Sequence, residues 1–92
     1  MVTFFASMIV PDPEAFIEGS KSHPKEYLDE RGIIEQALFR VVGENRVLIV
    51  GTYNTLEEAR NHKAEIESSE VEAQMKQMGV TLPMDLWIAE KA

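Results

Sequence analysis

The stretch Ile33-Ile34-Glu35-Gln36-Ala37-Leu38-Phe39-Arg40-Val41-Val42-Gly43-Glu44-Asn45-Arg46-Val47-Leu48-Ile49-Val50-Gly51-Thr52-Tyr53 decides the fold. Two runs dense in Val, Ile, Leu and Phe flank Gly43-Glu44-Asn45. That pattern predicts a β-hairpin, with strands over 33–42 and 46–53 joined by a short loop. Directly after it, Thr55-Leu56-Glu57-Glu58 reads as a capping box. The Thr55 oxygen takes the Glu58 N–H and Glu58 reaches back, so a helix starts here. Leu56, Ala59, Lys63 and Ile66 then share one helical face.

Upstream of the hairpin, Arg31-Gly32 is a helix C-terminus, with a cation in the last turn and glycine just past it. That helix starts at Asp12-Pro13-Glu14, where Asp caps, Pro suits the first turn and Glu favours the N-terminal dipole. Pro24 predicts a kink or restart near Ser22-His23-Pro24. Residues 2–10 read as a first strand. Downstream, Ser68-Ser69 predicts a bend or break, and Ser69 with Glu72 a second capping box. Val71, Met75 and Met78 continue at helical spacing, Gly79 ends the helix, and 84–90 is a last strand. The order β-α-β-β-α-β predicts an α+β, ferredoxin-like sandwich: a four-stranded antiparallel sheet with two helices on one face.

Alternation along the strands leaves the other face apolar too. Ile34 and Leu38 are expected on one face of the second strand, and Ile33, Ala37, Phe39 and Val41 on the other. Leu48 and Val50 back onto Val47 and Ile49, and Trp87 and Ala89 onto Met84, Leu86 and Ile88. An apolar second face needs a cover, and a second copy supplies one as a two-fold homodimer that closes an α+β barrel. The length, 92 residues, fits one domain over 1–92.

Lys and Arg number 9 against 16 Asp and Glu, a net charge of −7, which disfavours binding along a nucleic-acid backbone. The absence of cysteine excludes disulfides, thiolate metal sites and a cysteine nucleophile. The first ten residues lack the basic start of a secretory signal and fall short of the roughly 20 residues of a membrane span. A cytoplasmic protein without membrane attachment is expected.

The segment Tyr53-Asn54-Thr55-Leu56-Glu57-Glu58-Ala59 resembles the strand-to-helix step of the dimeric α+β barrel superfamily, which includes the antibiotic-biosynthesis monooxygenases. His62 falls where many members carry a histidine. Ser22-His23, Arg31-Gly32-Ile33, Phe39-Arg40, Gly79-Val80 and Pro83 are similar to a group of uncharacterised single-domain members. The resemblance implies a ferredoxin-like homodimer. Haem-degrading members use an asparagine in the first strand and a tryptophan near the third strand. Here Asn occurs only at 45, 54 and 61 and Trp only at 87, so haem degradation is not implied and no cofactor is expected.

His23, beside the predicted kink, is a candidate general base, because imidazole titrates near neutrality. Arg40, inside an apolar strand, needs a partner or water; it is a candidate anion stabiliser or a structural ion pair. Tyr53, His62 and Phe39 are candidate ligand contacts, and Trp87 suits a dimer seam. His62 has no His or carboxylate partner set typical of a metal centre, so no metal site is expected. Three readings follow: a homodimer binding a small organic molecule between helices and sheet; a cofactor-independent monooxygenase, isomerase or cyclase acting on an aromatic or polyketide-like substrate; and a non-catalytic interaction module.

Overall fold

The computed structural model describes all residues, 1–92. Its elements are β1 (Val2–Ile9), α1 (Pro13–Lys21), α2 (Lys25–Glu30), β2 (Ile33–Arg40), β3 (Arg46–Tyr53), α3 (Leu56–Ile66), α4 (Ser69–Gln77) and β4 (Thr81–Glu90). The sheet is antiparallel, in the order β2-β3-β1-β4. This is the α+β, ferredoxin-like arrangement. Each crossover carries two helical segments instead of one.

Local chemistry explains the breaks. The Asp12 side chain accepts from the Ala15 N–H at 3.1 Å and starts α1. Pro24 supplies no N–H and sits in extended conformation ahead of α2, so the first crossover stops and restarts there. At the second break, Ser68 and not Ser69 is the cap, accepting from the Val71 N–H at 3.4 Å. Ser69 is the first residue of α4 itself. Thr55 takes the Glu58 N–H at 3.1 Å, as the capping box requires, but its hydroxyl also donates to Glu58 Oε1 at 3.0 Å. The Glu58 carboxylate therefore meets the Thr55 side chain instead of its backbone.

The core lies between helices and sheet. Val2, Phe4, Ala6 and Met8 of β1, with Val47 and Tyr53 of β3, are buried on that face. Ala59 of α3 and Val80 before β4 close on them. The expected facing of β2 needs one correction. A register shift between Ile33 and Glu35 places Ile33 opposite Tyr53, buried, while Ala37 and Phe39 pair with Val50 and Leu48 on the other face. Such a bulge adds a residue and reverses the alternation, so Ile33 and Phe39 part company and Ile34 is exposed. β2 also ends two residues early: Val41 and Val42 belong to the loop, and Val42 is 96% exposed.

β4 begins at Thr81, three residues before the expected start, and contains Pro83. An edge strand tolerates a proline, because its outward N–H has no ladder partner to lose. A shift in the β1–β4 pairing after Ser7 accommodates the segment. The outer sheet face carries Phe5, Phe39 and Trp87, the last two 51% and 55% exposed, around a wholly apolar hollow of 650 Å³. No helix is long and apolar enough to cross a membrane.

Candidate functional site

A cavity of 590 Å³ opens between the helices and the inner sheet face. Phe4, Met8, Ile49, Met75 and Met84 form much of its apolar wall. One end is polar. There the α1–α2 break, α2 and its C-terminal end, the end of β3, and α3 bring together His23, Tyr27, Arg31, Tyr53, His62 and Glu65.

His23, Tyr27 and Arg31 recur every four residues and stack as a ladder. The His23 and Tyr27 rings are parallel, 4.2 Å apart, and the Arg31 guanidinium lies 3.6 Å from the Tyr27 ring centroid. Arg31 Nη1 donates to the Tyr27 carbonyl at 3.1 Å, while Nε and Nη2 donate to the two carboxylate oxygens of Glu65 at 2.8 Å and 3.1 Å. This is a bidentate guanidinium–carboxylate pair. Hydrogen bonding from Arg31 holds the Glu65 carboxyl below its ordinary range, and the same bond raises the guanidinium. Burial pushes the Tyr27 phenol up.

Behind this ladder lies a second pair. The Tyr53 hydroxyl is hydrogen-bonded to His62 Nδ1. His62 is only 8% exposed, and its Nε2 has no hydrogen-bond partner. Glu65 Oε1 stands 3.8 Å from that Nε2, beyond hydrogen-bond reach but close enough to favour an N–H there. Nδ1 is then the acceptor and the Tyr53 hydroxyl the donor. The line Tyr53, His62, Glu65, Arg31 is thus ordered from phenol to guanidinium. Burial lowers the His62 pKa below 6.5, with the Glu65 charge working against it, so the ring is neutral near pH 7. Burial also raises the Tyr53 phenol strongly and keeps it protonated.

Of the residues singled out from sequence, His23, Tyr53 and His62 line this cavity. Arg40 and Phe39 do not. Arg40 is exposed at the end of edge strand β2, paired with Glu14 at 2.8 Å. Phe39, its neighbour, projects from the opposite face of the sheet into the apolar hollow. The reading from sequence left out Tyr27 and Glu65 and gave Arg31 only a helix-end role. Their signal is the four-residue spacing of His23, Tyr27 and Arg31, masked by Pro24 between them. No group of three or more His, Asp or Glu side chains is clustered to hold a metal ion.

No family model matches the chain, and no curated protein matches it by sequence. Solved structures do match it by shape. A Deinococcus radiodurans protein called a "putative antibiotic biosynthesis monooxygenase" superposes with a TM-score of 0.69 at 14% identity, over 100% of this chain and 93% of its own. SnoaB of Streptomyces nogalater, a cofactor-independent oxygenase solved as a mutant, gives 0.64 at 13% identity, over 98% and 91%. A dimeric ferredoxin-like protein from an uncultured marine organism gives 0.66 at 14%, over 99% and 90%. The chain has the fold of the antibiotic-biosynthesis-monooxygenase-like proteins.

Proposed function

We propose that this chain, built on the monooxygenase-like fold, is a homodimer that binds a small organic molecule in the cavity of each subunit. The observation that carries the reading is the cavity itself. It measures 590 Å³, within the roughly 300–1,000 Å³ of small-molecule sites, and joins an apolar wall to one polar end. An apolar body fits the wall, and His23, Tyr27 and His62 orient its polar group. The exposed Phe5, Phe39 and Trp87 support the dimer, since they form an apolar face that a second copy would cover. Native mass spectrometry tests both parts. A mass near twice 10.4 kDa, with extra mass lost on denaturation, is the expected result. A bare monomer counts against both.

A second reading, catalysis, rests on the Tyr53–His62–Glu65 line. In a cofactor-independent oxygenase, isomerase or cyclase, the proton of an activated carbon or phenol passes to the Tyr53 oxygen as Tyr53 hands its own proton to His62 Nδ1. Glu65 then stabilises the imidazolium, as a carboxylate does behind any catalytic histidine. His62 fits that role better than the exposed His23, which the sequence suggested as base. Solvent deuterium exchange into a bound enolisable ligand is the measurement. Exchange that persists in His62→Gln would remove His62 from the role.

A further inference from the structure

The cation at the polar end of the cavity is paired with a carboxylate of the same chain. Arg31 is the one Lys or Arg side chain that lines the cavity. Glu65 takes the Nε hydrogen and one Nη2 hydrogen, and the Tyr27 carbonyl takes one Nη1 hydrogen, three of the five guanidinium donors. A carboxylate or phosphate entering here meets a cation already neutralised. Glu70, a second acid, lines the same cavity, and the whole chain carries −7. Two other groups stand without partners. The Tyr27 hydroxyl makes no hydrogen bond within the chain, and His62 Nε2 has none either. Their rings meet edge-on with centroids 6.2 Å apart. His62 Nε2–H is a buried donor without an acceptor, and the Tyr27 O–H is a donor not engaged by the chain itself.

We propose that Glu65 is the specificity-determining residue of the cavity: by occupying Arg31 it excludes anionic ligands and leaves the Tyr27 O–H and His62 Nε2–H to select an uncharged acceptor oxygen, such as a carbonyl. This rests on the reading that the cavity takes an organic ligand. The carbonyl oxygen supplies the acceptor that the buried His62 Nε2–H lacks, takes the Tyr27 O–H in place of water, and disturbs no ion pair. A carboxylate gains little from Arg31 unless Glu65 is displaced.

Three probes of one shape separate the possibilities: naphthalene, 2-acetylnaphthalene and 2-naphthoate, titrated into the intact protein by calorimetry. The expected order is the ketone about tenfold or more tighter than the carboxylate. In Glu65→Gln the freed Arg31 takes the carboxylate, and the gap closes to about threefold or reverses. Tyr27→Phe weakens the ketone several-fold and leaves naphthalene unchanged. Equal affinity for ketone and carboxylate in the unaltered protein overturns the proposal, as does a Glu65→Gln ratio identical to the original. Naphthalene binding then leaves the organic-ligand reading standing. Failure of all three probes to bind overturns that reading as well. Should Glu65→Gln not fold, the ratio in the unaltered protein and the Tyr27→Phe response decide the matter.

Discussion

Arg31 and Glu65 stand 34 residues apart and meet through two hydrogen bonds, at 2.8 Å and 3.1 Å, that tie the end of α2 to the last turn of α3. α2 has only six residues and none of them is buried, so it holds its place by contacts such as this one. The Arg31 guanidinium also covers the Tyr27 ring, whose position shapes the polar end of the cavity. One ion pair therefore fixes both α2 and an aromatic that lines the cavity.

Glu65→Gln should weaken folding by about 1 kcal/mol or less near neutral pH, because the carboxylate is 45% exposed and solvent screens it. The sign of its pH dependence follows from the lowered Glu65 pKa. The folded chain binds that proton less readily than the unfolded chain, whose ordinary value is 4.5. The contribution is present above about 4.5 and is lost as pH falls through the lower folded value. Urea unfolding of both proteins across acid pH should show the two curves converging. A difference that persists at about pH 2 would place the effect elsewhere.

Tyr53→Phe should cost about 1–3 kcal/mol, since it removes the partner of a buried histidine nitrogen. The His62 ring gives a separate readout. Burial lowers its pKa, so unfolding takes up a proton between the folded value and 6.5. Stability is full above 6.5 and declines as pH falls below it. His62→Gln should remove that part of the slope. An NMR titration placing the His62 midpoint at or above 6.5 would contradict the buried, neutral ring.

The fold was legible where local chemistry acts alone. Thr55 and Asp12 announce their helices by the hydrogen bond each side chain makes, and Gly43 sits in the hairpin loop with φ +82, a turn conformation suited to glycine. The bulge at Ile34 was not legible, because nothing in an Ile-Ile pair says which of the two leaves the alternation. That ambiguity set the wrong face for Ile33. The site was partly legible: Tyr53 and His62 lie nine residues apart across one strand-to-helix step. The Arg31–Glu65 contact depends on how two crossovers pack, and sequence spacing carries no trace of that. Arg40 and Phe39 show the limit from the other side. Adjacent strand residues point to opposite faces, so one cavity could not hold both.

Gly32→Ala should destabilise by about 1–3 kcal/mol. Gly32 has φ +73, which L side chains avoid, and a Cβ there would collide with the Glu58 carboxyl group. The methyl group would displace the Glu58 carboxylate from its bond to Thr55 and loosen the start of α3. Adding Glu58→Ala should recover only the steric part of the loss and leave the backbone strain. Thermal melts of the single and double variants check this, and full recovery in the double variant would mean that φ contributes nothing.

Trp87 gives the sharpest test of the outer face. It is the only tryptophan, lies opposite Phe5 in the β1–β4 register, and is 55% exposed in the isolated chain. If a second copy covers this face, Trp87 leaves water on association, and its emission should shift to the red on dilution through dissociation. Trp87→Glu puts a charge into the contact without emptying the inner core, which lies on the other side of the sheet. The variant should dissociate about 100-fold more readily, in line with a central aromatic contact, while its far-ultraviolet circular dichroism is retained. Sedimentation equilibrium at micromolar concentration reads the mass. A Trp87→Glu protein that stays dimeric would put the subunit contact on another surface, and an unaltered protein that sediments as a monomer would leave the apolar face without its proposed partner.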